Sequence, residues 1–80
     1  MNNNYILRKV ADEYMLVPIG DNTVVVRLNE TGAFIWEQYN AGYDADAIAT
    51  ALTEKYIVSK EQATEDVEKI LIYLKEHSVI

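Results

Sequence analysis

The side chains able to carry covalent or metal chemistry are few, and their spacing argues against both. His77 is the only histidine among the 80 residues, and no cysteine is present. Nucleophilic catalysis needs a base within hydrogen-bond reach of the nucleophile and a third group to orient it. A lone histidine near the end of a helical segment is better read as a cation beside the last carbonyls of that helix. Glu61, Glu65 and Glu68 share one helical face, but acids at this spacing are the ordinary pattern of a solvated surface. Gly20, Gly32 and Gly42 are scattered, so no glycine-rich phosphate loop exists. The residues point to no enzyme, no metal and no cofactor. They describe a chain that binds.

Eighty residues are enough for a single domain, read here as spanning 1–80. A domain of this size buries roughly 60% of its unfolded surface, so its core is thin and packing and helix caps must hold it. Residues 1–28 carry Arg8, Lys9 and Arg27 against Asp12, Glu13 and Asp21, and these cancel. Residues 29–80 carry Lys55, Lys60, Lys69 and Lys75 against ten acids, which accounts for the net charge of −6. Such a half neither displaces counterions from nucleic acid nor approaches an anionic bilayer. Met1-Asn2-Asn3-Asn4 has no signal-peptide pattern and is expected to fray, and no apolar run is long enough to span a membrane. A cytoplasmic location is expected, with a polypeptide as partner.

The elements that must build the binding surface come in two blocks. Ile6 to Val10, Tyr14 to Ile19 and Thr23 to Leu28 read as strands, with Ala11-Asp12-Glu13 and Gly20-Asp21-Asn22 as turns. Pro18 cannot donate to a ladder and belongs at a strand end. Asn29 then caps a first helix bearing Gly32, Ile35, Trp36 and Tyr39 on one stripe, and Gly42 stops it. Asp44 caps a second helix with Ile48, Ala49, Leu52 and Tyr56 on one side. Ser59 opens a third, with Gln62 in capping-box position and Ala63, Val67, Ile70, Leu71 and Leu74 as its apolar stripe. The predicted fold is α+β: a three-stranded antiparallel meander followed by three helices, arranged as in winged-helix proteins.

The third strand is the informative one. Val24, Val25 and Val26 break the alternation of a half-buried strand. If Val24, Val26 and Leu28 face the helices, Val25 and Arg27 point the other way. An edge strand leaves a row of N–H and C=O groups open, and little but Arg27 blunts this one. It fits β-augmentation by an extended peptide. It also fits cover by the chain's own N-terminal segment, or a dimer paired or swapped through that edge. Trp36 reads as core. Phe34 lies off the stripe, to rim a groove or pack on a neighbouring helix, and Tyr73 lies beside the third helix's stripe, to snorkel or to touch a ligand.

Tyr14-Met15-Leu16-Val17-Pro18-Ile19-Gly20, the block Leu28-Asn29-Glu30-Thr31-Gly32-Ala33-Phe34-Ile35-Trp36-Glu37, Tyr56-Ile57-Val58-Ser59 and Glu65-Asp66-Val67 resemble the PqqD family. The resemblance runs from about Leu7 to Ile80 and agrees with the three strands and three helices. It implies a module that binds the leader of a ribosomal precursor peptide in a cleft between the third strand and third helix. There the peptide adds as an antiparallel strand and is presented to a modifying enzyme, often a radical S-adenosylmethionine maturase. Carried onto this chain, the strand side is Val24, Val25, Val26 and Arg27, and the helix side is Asp66, Lys69, Ile70 and Tyr73. Two other readings remain at this point. A winged-helix DNA-binding protein needs a basic recognition helix, whereas Ser59 to Glu76 has three lysines against five acids. A structural or dimerisation subunit would use the valine strand to meet another folded protein.

Overall fold

The computed structural model describes residues 5–20, 25–77 and 79–80. Three strands, β1 (Tyr5–Val10), β2 (Glu13–Pro18) and β3 (Val26–Leu28), precede three helices, α1 (Glu30–Asn40), α2 (Ala45–Lys55) and α3 (Lys60–Glu76). This is the α+β order expected. The sheet is antiparallel with order β1-β2-β3. The third strand is shorter than Thr23–Leu28: its ladder begins at Val26, and Thr23 and Val24 lie outside the described residues, as do Met1 to Asn4 and the turn residues Asp21 and Asn22.

Local chemistry explains the boundaries. β1 and β2 are joined by a two-residue loop in which Ala11 takes φ 57°, the left-handed conformation such tight hairpins require. Pro18 closes β2 opposite Tyr5, at the end of the ladder. Asn29, Asp44 and Ser59 each cap the helix that follows, accepting from the backbone N–H of Gly32, Ala47 and Gln62 at 2.7, 2.8 and 3.1 Å. The capping box at α3 is only half made. The Gln62 amide turns forward and donates to Asp66 Oδ1 at 3.0 Å instead of reaching back to Ser59. Gly42 sits at φ 103° just past α1, a conformation glycine takes without steric cost.

Alternation along the strands divides the sheet into two faces. Tyr5, Leu16, Val26 and Leu28 are buried against Trp36, Leu74 and Val79. Ile35, Ile48, Ala49, Leu52, Ala63 and Val67 form a second cluster among the helices, and half-buried Ile70 packs on both. Trp36 is core, as its place on the stripe predicts. Phe34 packs edge-on against Tyr56, 6.4 Å between ring centroids, with Lys55 Nζ over its ring. It therefore joins α1 to the end of α2 and rims no groove near β3.

Candidate peptide-binding cleft

The hairpin fixes which backbone groups of β3 are open. A two-residue loop closes on a hydrogen-bonded pair, here Val10 with Glu13, and hydrogen-bonded and non-bonded pairs then alternate along the ladder. Met15 therefore points its N–H and C=O toward β1, while Tyr14 and Leu16 point theirs toward β3. Their partners Leu28 and Val26 complete those bonds. Arg27, opposite Met15, is left with both main-chain groups facing away from the sheet, and the same alternation continued past the N-terminal end of β3 gives Val25 that orientation. The Arg27 carbonyl accepts from the Tyr73 hydroxyl at 3.2 Å, as an outward orientation requires.

The side chains alternate too. Val26 is 1% exposed and belongs to the core, so it supports the edge from behind and shows nothing to a ligand. Val25 and Arg27 are exposed on the outer face of the sheet, where Arg27 Nη1 lies 3.9 Å from Glu13 Oε1 in a loose surface pair. Val24 lies outside the described residues.

Beyond the end of β3 a cavity of about 240 Å³ lies between the start of α1 and the middle of α3. Asn29, Thr31, Asp66, Lys69 and Ile70 line it. Three of the four helix residues expected from the resemblance are thus together, one charge of each sign over an apolar floor. The fourth, Tyr73, lies one turn along α3, where its hydroxyl holds β3 and its ring contacts His77 at 4.2 Å between centroids. His77 Nδ1 is 2.8 Å from the Tyr73 carbonyl oxygen, which places its proton on that nitrogen and the ring at the helix C-terminus, as expected. The sequence pattern does not mark Asn29 and Thr31 as lining residues. Asn29 had a sufficient role as a cap, and nothing in the spacing marked the wall it also forms.

Gly32 sets the width of this region. A β-carbon there would meet Asn29 Oδ1 at 3.1 Å, Ile70 Cδ1 at 3.2 Å and Leu28 Cδ2 at 3.3 Å. Its absence lets α1 close on α3 and the end of β3 at the cavity floor. The opposite edge of the sheet differs. β1 is twice as long as β3 and carries the adjacent exposed cations Arg8 and Lys9.

A family model described as coenzyme PQQ synthesis protein D (PqqD) matches residues 13–80. The chain belongs to the PqqD family. No curated protein matches this PqqD-family chain. Two solved structures share its fold. One is TbiB1 in complex with the TbiA(beta) leader peptide, with TM-score 0.78 and 19% identity over 96% of this chain and 88% of that one. The other is lasso peptide synthetase B1 complexed with the leader peptide, with TM-score 0.78 and 24% identity over 94% and 87%. Among the described residues of the PqqD-family chain, no helix is long and apolar enough to cross a membrane.

Proposed function

We propose that this PqqD-family domain captures the leader of a ribosomal precursor peptide as a fourth antiparallel strand on β3 and presents it to a modifying enzyme, without itself making or breaking a bond. The observation that carries this is the outward pair of main-chain groups at Arg27, two residues before Asn29, which with Thr31, Asp66, Lys69 and Ile70 lines the cavity. Backbone hydrogen bonds supply affinity whatever the guest sequence, and the cavity supplies choice. An antiparallel guest runs opposite to β3, so the residues just N-terminal to its paired segment are those that enter the cavity. Ile70 favours an apolar side chain there, and Asp66 and Lys69 favour a polar or charged neighbour. The two solved relatives in fold, both complexes with leader peptides, support the reading.

The test is an amide chemical-shift titration with the leader of a precursor peptide encoded beside this gene. Shifts should concentrate on Val25, Arg27, Asn29, Asp66, Lys69, Ile70 and Tyr73. Changes confined to α2 would place the peptide elsewhere and overturn the assignment.

A further inference from the structure

The face of the sheet turned away from the helices takes no part in the cleft, yet it is ordered into rows. Ile6 faces Val17, and the β2–β3 register carried one residue past Val26 sets Val25 beside Val17. One apolar row therefore crosses all three strands. Arg8, Met15 and Arg27 form the next, with Val10 and Glu13 beyond them. Ile6, Val10 and Val25 are 44%, 56% and 47% exposed. With strands ~4.8 Å apart, the two arginine backbones stand about 10 Å from each other, and the patch covers on the order of a few hundred Å², the scale at which apolar surface marks an interaction site.

We propose that this outer face is the docking surface for the peptide-modifying enzyme, and that it takes an apolar patch bearing carboxylates that meet Arg8 and Arg27. The identity of the partner rests on the function proposed above. Charge selects the kind of surface that fits. The helical half of the domain holds the whole net charge of −6, whereas this face sets two arginines around a methionine; Arg27 makes only a loose, exposed 3.9 Å pair with Glu13, and Arg8 has no ion-pair partner among the described residues. A second copy docking the same face would bring two more arginines with only one carboxylate, Glu13, on each face to offset them, so it is disfavoured by the complementarity that favours an acidic partner. A guest strand beside β3 lies in the plane of the sheet and leaves this face uncovered. Its own alternate side chains would extend the rows, so the enzyme meets domain and peptide on one continuous surface.

The experiment measures binding of the modifying enzyme encoded beside this gene, with and without leader, to the wild type, Arg8→Glu and Ile6→Ser. Neither residue touches the cleft, and circular dichroism with thermal melting checks that each variant folds. Enzyme affinity should fall at least about tenfold in each, as for interface centres generally, while leader affinity stays within about twofold. Unchanged enzyme affinity in both variants overturns the proposal. So does a wild type that light scattering shows to be a dimer and both substitutions convert to a monomer, since a second copy then covers the face. If leader fails to bind the wild type while enzyme affinity still responds to both substitutions, the peptide reading falls and the docking surface stands.

Discussion

Replacing Tyr73 with phenylalanine isolates one hydrogen bond at the edge of β3. The ring stays, with its packing on the sheet-side core and its contact with His77, and only the hydroxyl that donates to the Arg27 carbonyl is lost. That bond is 3.2 Å long and exposed, so its net worth sits in the lower part of the usual range, about 0.5–1 kcal/mol. The free domain should lose that much stability, and its melting midpoint should fall by no more than about 4–8 °C. Leader binding should move the opposite way. An incoming N–H must take the same carbonyl, and in the wild type it first displaces the tyrosine hydroxyl. Removing the hydroxyl removes that cost, so the dissociation constant should fall roughly two- to fivefold. Fluorescence anisotropy of a labelled leader reads the affinity, and urea titration reads the stability. Weaker binding by Tyr73→Phe would refute displacement, because the hydroxyl would then be a contact of the bound peptide. Equal binding would also refute it, because the carbonyl would then be serving both donors at once.

Other perturbations test neighbouring links. Val25→Pro removes an N–H that faces away from β2, so it should weaken leader binding well beyond Val25→Thr while leaving the fold intact; equal effects of the two would mean the peptide does not read the backbone there. Gly32→Ala gains about 1 kcal/mol of helix propensity but crowds the Asn29 cap oxygen and the tips of Ile70 and Leu28. Losing that cap and overpacking the floor together cost more, so denaturant titration should show net destabilisation of roughly 1–2 kcal/mol, with leader affinity reduced by the narrowed cavity. Partial burial, and then the hydrogen bond to Glu30 Oε2 and that carboxylate's charge, raise the Tyr56 pKa above its ordinary 10.0. A raised folded value stabilises the protein fully below pH 10 and loses that stability as pH climbs through it, so the alkaline decline should be shallower in Tyr56→Phe on pH-dependent melting.

The strand and helix order, and most of the core, could be read from the chain because each had a local chemical cause. Asn29, Asp44 and Ser59 announce helix starts by side chains that satisfy orphan N–H groups, and the stripe of Ala63, Val67 and Leu74 has no plausible use except burial. What was not legible depended on distance or on a choice between equal partners. Gln62 at the third position of α3 suits a capping box, but Asp66 one turn on competes for the same amide and wins. Phe34 left two readings open because Tyr56, which it meets edge-on, lies on another helix. The valine run correctly set Val26 and Leu28 inward and Val25 and Arg27 outward, but only the hairpin register shows that Val26 spends its backbone on Leu16 and leaves Arg27 to face outward. Asn29 and Thr31 reach the cavity wall through the packing of α1 on α3, which no periodicity encodes.

The two rims of the sheet have unequal consequences for assembly. A subunit with two receptive rims can be added to at both ends, and copies could then stack into an open-ended ribbon. Here the long rim bears the exposed cations Arg8 and Lys9, one toward each face of the sheet, so two such rims brought together would set like charges across the seam. Growth is thereby discouraged on one flank, and the short rim at β3 can stay receptive to a foreign strand without committing the protein to joining itself.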